Sequence, residues 1–250
     1  MRIRYQAIIS SDWNGCLAPC GPFDFIAFNF PAFEAELNDI FCQYTGNRIA
    51  LADAIAQIGK MLPQAITREQ MDAYLAAAFT TYAGVPELID WCLSNDILFM
   101  INTTGMIGYF QRVFAGGLLP RVPVISAHPM VRYSANPSDP GRIYDLFEIQ
   151  DKAINSHAVI RALGIPAGKV ILMGDSGGDG PHLEWGSKTG AFLIGSMTKA
   201  SLDDYCRLNH IRLDLRFGID YSKAEHRDRP DEVRINFMDL APGIEEFLRS

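Results

Sequence analysis

No apolar run in this 250-residue chain approaches the roughly 20 residues needed to cross a bilayer. The opening residues, Met1-Arg2-Ile3-Arg4-Tyr5, lack the apolar segment and small-residue cleavage site of a secretory leader. No membrane partner is therefore expected, and the expected compartment is the cytoplasm. Cysteine is scarce. Cys16, Cys20, Cys42, Cys92 and Cys206 are an odd number without CxxC spacing, which points away from a disulfide framework or zinc site and toward reduced, mostly buried thiols. Positive charge is in the minority too: 22 Lys and Arg against 29 Asp and Glu give a net charge of -7, and no basic cluster stands out. Nucleic acid and anionic membrane surfaces are not expected as main partners.

What is present is ordinary for a globular protein, with 48% apolar and 20% charged residues. Apolar runs recur at Tyr5 to Ser10, Ile97 to Asn102, Val122 to Ser126, Val170 to Met173 and Ala191 to Ile194, most of them separated by helix-length segments. That alternation predicts a doubly wound, mainly parallel α/β sheet of Rossmann-like type. More than 80 residues between the first two runs break the pattern. They carry three stripes at helical spacing: Phe33, Leu37, Ile40, Phe41 and Tyr44; Leu51, Ala54, Ile55, Ile58 and Leu62; and Met71, Tyr74, Leu75, Ala78, Phe79 and Tyr82. Thr67 followed by Gln70 predicts a capping box at the third. These stripes predict a helical domain over 18–85 inserted into an α/β core of 1–17 and 86–250. The tail after about residue 200 is less readable, with a helix predicted at Leu202 to Leu208 and a closing one after Pro242.

Two acidic motifs, about 160 residues apart, each follow an apolar run: Ser10-Ser11-Asp12-Trp13-Asn14-Gly15-Cys16 and Gly174-Asp175-Ser176-Gly177-Gly178-Asp179. Carboxylates at the ends of neighbouring strands can hold a divalent cation, and Mg2+ prefers such oxygen ligands. A phosphoryl group repels a carboxylate nucleophile unless a cation and fixed donors neutralise its charge. The remaining parts of such a site lie between the motifs. Thr103, Thr104 and Gly105, after the second run, offer hydroxyl and backbone N–H groups to a phosphate. Lys152, on the helix before the second acidic motif, offers positive charge.

In this order the four elements resemble the motifs of the haloacid dehalogenase superfamily, mostly Mg2+-dependent phosphohydrolases that form an aspartyl-phosphate. The helical insertion resembles that family's cap. The resemblance implies that Asp12 attacks phosphorus; that Asp12, Asp175 and the backbone carbonyl of Asn14 ligate Mg2+ with Asp179 supporting them; and that Thr103 and Lys152 hold the transferring group of a small phosphorylated substrate. Phe23, Phe25, Arg48 and Arg68 are candidates for specificity between core and cap, although packing for the aromatics and solvation for the arginines is the favoured reading of each. Gly174 to Gly178 also resembles the nucleophile loop of trypsin-like proteases, but the α/β context contradicts that match, and His182 reads as a helix residue rather than a ligand.

The departure is Asn14. Phosphatases of this family usually place a second Asp there, as the acid that protonates the leaving oxygen and the base that then activates water; an amide does neither. Cys16, in place of the usual Thr, is expected to affect loop packing. Three readings follow: a weak phosphatase, a binding or regulatory protein without turnover, or different chemistry. Asp12-Trp13-Asn14-Gly15 locally resembles the Asp-Trp-Ala-Gly of phosphonoacetaldehyde hydrolases, which need a cap lysine. Lys60, the only lysine in the insertion, falls opposite its helix's apolar stripe.

Overall fold

The computed structural model describes residues 5–46, 48–223 and 229–249. Seven parallel strands form one sheet: β1 (Ala7–Ser11), β2 (Ile97–Met106), β3 (Val124–His128), β4 (Arg142–Asp145), β5 (Val170–Gly174), β6 (Phe192–Ser196) and β7 (Leu215–Phe217), in the order β4-β3-β2-β1-β5-β6-β7. The chain builds outward from β1 to β4, then returns to the other side of β1 with β5. This reversal beside β1 is the switch point at which doubly wound sheets open a crevice at their strand carboxyl ends. Among the described residues no helix is long and apolar enough to cross a membrane.

The central strands are continuous apolar runs because both sheet faces are covered. Alternate residues enter different cores: Ile9, Phe99, Ile101, Ile171 and Met173 on one face, Ile8, Leu98, Met100, Val170 and Leu172 on the other. Between β1 and β2 lie α1 (Asp24–Asn29), α2 (Glu34–Thr45), α3 (Leu51–Met61), α4 (Arg68–Ala78) and α5 (Val85–Ser94). The remaining helices are α6 (Ile107–Ala115), α7 (Asp151–Leu163), α8 (Gly180–Thr189), α9 (Ala200–Leu208), α10 (Arg229–Glu232) and α11 (Ala241–Arg249). Val159, Leu183 and Leu202 carry α7, α8 and α9 onto the second face, while α5 and α6 cover the first.

The predicted stripes are the buried faces of α2, α3 and α4: Leu37, Ile40 and Tyr44; Leu51, Ala54 and Ile58; Met71, Tyr74 and Leu75. They join one continuous apolar cluster with β1, β2, α5 and α6. Thr67 accepts the Gln70 N–H at 3.2 Å and Gln70 Oε1 accepts the Thr67 N–H at 2.9 Å, so the capping box is formed. Thr67→Ala is expected to lower stability by about 1 kcal/mol, readable from the denaturation midpoint.

The tail also has a clear role. Phe237 stacks on buried Tyr82 at 5.5 Å, the Tyr82 hydroxyl donates to Glu232 at 2.6 Å, and the Phe237 N–H donates to Ala83 O at 2.7 Å. Gly84, at φ 74°, has no room for a Cβ against Asn236. The tail therefore buttresses the segment that returns the chain from the inserted helices to α5.

Candidate active site

Asp12 is the first residue beyond β1, and its N–H donates to Met173 O of β5 at 3.0 Å. The next residues are held by Trp13. Its side chain is fully buried edge-on to Phe110 at 5.5 Å, and its carbonyl accepts from the N–H groups of Cys16, Leu17 and Ala18. Gly15, at φ 76°, closes this tight turn, and Cys16 is buried beside Ser11, consistent with a packing role. Asp12 is thus fixed at the sheet's switch point.

Asp175 follows β5, and Asp179 folds back over the strand end. A Cβ on Gly174 would lie 2.5 Å from Asp179, which explains the glycine. Asp179 Oδ2 accepts the backbone N–H groups of Asp175 (3.0 Å) and Ser176 (3.3 Å), while Oδ1 accepts from Lys152 Nζ at 2.6 Å. Lys152, in the first turn of α7, is 1% exposed and lies 3.0 Å from Asp12 Oδ1. One ammonium therefore bridges the two acidic motifs.

Asp12, Asp175 and Asp179 each present a carboxylate oxygen within 4.8 Å of the others, and all three are buried. Burial pushes the Asp12 carboxyl up to about 7; the Lys152 charge opposes this, and the Asp179 and Asp175 charges add to it. Asp12 Oδ1 is enclosed in this dry setting and paired with the Lys152 ammonium. A hard divalent cation suits such a donor set, because it takes oxygen ligands and offsets the repulsion among them. With both Asp179 oxygens engaged by internal donors, Asp12 and Asp175 are the better placed to ligate it.

Behind the site runs a buried polar network that the sequence motifs did not reveal. The two N–H groups of Asn102 Nδ2 are shared among three acceptors, Lys152 O at 2.8 Å, Ser156 Oγ at 3.0 Å and Ser10 Oγ at 3.1 Å. Ser156 Oγ also lies 2.9 Å from His182 Nε2. Burial first, and the Lys152 charge second, push His182 down to about 3, so it is a neutral member of the network, carried on α8. The network ties β1, β2, α7 and α8 together directly beneath Lys152.

Thr103 is fully buried; its hydroxyl donates to Asn14 Oδ1 at 3.2 Å and accepts the Gly105 N–H at 3.1 Å. Asn14 Nδ2 points toward Cys20, 3.3 Å from its carbonyl and 3.5 Å from its sulfur. Asn14 and Thr103 thus stitch the first motif to the second. The hydroxyl that faces the site is that of Thr104, 3.1 Å from Tyr44 Oη on α2.

Asp12, Asn14, Thr104, Lys152, Ser176, Gly178 and Lys199 enclose a cavity roofed by Phe41, Tyr44 and Thr45 of α2. Its water-accessible space is about 10 Å³, enough for one water molecule. The four specificity candidates do not line it. Phe23 and Phe25 are buried in packing with Tyr44 and Tyr74, Arg48 is exposed and donates to Cys42 O, and Arg68 is exposed and lies over Tyr133. Lys60 is exposed as well, and is not part of the cavity.

Neither a family model nor a curated protein matches the chain. Solved structures do. A phospho-aspartyl intermediate analogue of phosphoserine phosphatase superposes with a TM-score of 0.67 at 13% identity, covering 96% of this chain and 99% of that one. A substrate-bound phosphoserine phosphatase complex gives 0.67 at 13%, covering 95% and 98%. A haloacid dehalogenase family hydrolase from Salmonella enterica subsp. enterica serovar Typhi gives 0.63 at 15%, covering 87% and 68%. Over almost its whole length, the chain has the haloacid dehalogenase fold.

Proposed function

We propose that this protein is a metal-dependent phosphohydrolase acting on a small phosphorylated compound through an aspartyl-phosphate at Asp12. The observation that carries the reading is the convergence of Asp12, Asp175, Asp179 and Lys152, all buried, at the carboxyl ends of β1 and β5. Asp12, Asp175 and the Asn14 backbone carbonyl would hold Mg2+, which neutralises phosphoryl charge when bound. Lys152 favours the ionised form of Asp12 and orients it, and Thr104 faces the transferring group. Residues 18–85 serve as the cap over a core of 1–17 and 86–250. Because the cavity holds only one water, α2 must shift to admit a substrate, breaking the Tyr44 to Thr104 contact.

One observation favours a second reading, binding without turnover: Asn14 spends its amide on Thr103 and Cys20 and supplies no acid. A panel of alkyl and aryl phosphomonoesters with Mg2+ separates the two. Under the phosphatase reading the native protein turns over aryl esters, whose leaving groups need little protonation, and Asp12→Ala abolishes this. Asn14→Asp is expected to raise alkyl ester turnover by roughly 10²- to 10⁴-fold, with a smaller gain on aryl esters. Turnover confined to Asn14→Asp would leave the native protein a binder.

A further inference from the structure

Lys199 belongs to none of the four motifs, yet it lines the same cavity as Asp12 and Lys152. It immediately precedes α9 and is 8% exposed. Its backbone N–H donates to Asp175 O at 2.8 Å, and its ammonium lies 3.0 Å from Asp175 Oδ2 and 5.7 Å from the centre of the Phe41 ring on α2. The placement is braced on both sides: the Gly177 N–H donates to Ser201 Oγ at 3.1 Å, and the Tyr221 N–H donates to Thr198 O at 2.8 Å. Two buried ammonium groups therefore bracket the carboxylates, Lys152 on Asp12 and Asp179, Lys199 on Asp175.

Charge decides what a second lysine can do there. Three carboxylates and one lysine leave two negative charges, which a divalent cation cancels, so the loaded site would be neutral toward a phosphoryl dianion. Lys199 makes the loaded site positive. In the metal-free protein, however, its ammonium occupies Asp175, so a divalent cation and Lys199 compete for one carboxylate.

We infer that Lys199 is an anion-binding residue of this site, which opposes the divalent cation at Asp175 when no ligand is present and holds the phosphoryl group once the cation is bound. The inference rests on the proposed phosphohydrolase reading. Its position against Phe41 places the same ammonium between the carboxylates and the roof helix.

The test is titration calorimetry on the full chain with Mg2+ alone, then with inorganic phosphate at saturating Mg2+. Lys199→Gln is expected to bind Mg2+ about tenfold more tightly and phosphate about tenfold more weakly than the native protein. Lys199→Arg, which keeps the charge, is expected to bind both within about threefold of native. A merely structural role would weaken both ligands together. Unchanged or weakened Mg2+ binding in a folded Lys199→Gln variant overturns the inference and leaves the phosphohydrolase reading standing. If Lys199→Gln does not fold, tighter Mg2+ binding by Lys199→Arg overturns it instead. A native protein that binds no Mg2+ overturns both.

Discussion

Asp12→Asn is expected to abolish phosphomonoester turnover, by on the order of 10⁴- to 10⁶-fold, while making the metal-free protein more stable at pH 8. The first half follows from the nucleophile's role: an amide cannot form the acyl-phosphate, and the donors around it cannot substitute. The second half follows from burial. Burial, with Asp179 and Asp175 nearby, raises the Asp12 carboxyl to about 7 despite Lys152. A carboxyl whose folded value lies above its unfolded one binds its proton more tightly when folded. It therefore stabilises the fold fully only at low pH, and that contribution is lost as pH rises from about 4 through about 7. Above that range the native protein holds a buried charge whose cost Lys152 offsets only in part. Asn at position 12 removes it, and Lys152 keeps Asp179 as its partner at 2.6 Å. Melting temperatures at pH 5 and pH 8 check this. The metal-free native protein should lose more stability over that interval than Asp12→Asn, by on the order of 2 kcal/mol, and Mg2+ should close the gap at pH 8. Equal pH dependence in the two proteins would show that Asp12 is not held in a destabilising site.

That a stabilising substitution should destroy activity is what a site of crowded carboxylates requires, and it explains which parts of this protein were legible in sequence. The strands that build the site, β1, β2 and β5, are buried on both faces, so they read as unbroken apolar runs, and the acidic residues at their ends stand out. β4 went unread because Arg142–Asp145 is a partly exposed edge strand with no apolar run. α1 escaped notice because six residues carry too little period. Within the site, the ends of β1 and β5 bring Asp12, Asp175 and Asp179 together, and the first turn of α7 brings Lys152 to them. The partners that arrive by packing across distant sequence were not visible: Lys199 on Asp175, Tyr44 on Thr104, and Asn102 on Lys152. Glu148, whose carboxylate accepts the Leu51 and Ala52 N–H groups at the start of α3, is another such link, joining the loop before α7 to the inserted helices. Phe23 and Phe25, for which packing is the favoured reading over substrate contact, face other aromatic rings.

Lys152→Met is expected to have the largest effect on stability, about 3–5 kcal/mol, as well as eliminating turnover. Burial works against the Lys152 ammonium, but Asp12 and Asp179 outweigh it and hold its pKa above the usual lysine range, so the charge persists at every pH from 5 to 9. Because the folded value is raised, the stabilisation is fully present below the unfolded lysine value of about 10.4 and fades only above it. Methionine fills similar volume, so little of the loss comes from packing; the loss comes from leaving two carboxylates buried without their shared cation. Its pH dependence is opposite in origin to that of Asp12→Asn. At pH 5 Asp12 is already protonated and part of the cost disappears, whereas at pH 8 the native Asp12 is ionised beside Lys152 and the variant lacks the charge that favours that form. The variant should therefore lie closest to native stability at low pH and fall furthest behind near pH 8. Mg2+ recovers part of the difference there, because a divalent cation among the carboxylates replaces some of the missing charge. Asn102→Leu separates this electrostatic role from the positioning one. It removes the bond to Lys152 O and the links to Ser10 and Ser156 while leaving the ammonium in place, so its cost should be nearly independent of pH over the same interval. A flat pH profile for Lys152→Met would mean that the ammonium is held by packing, and that the carboxylates do not depend on it.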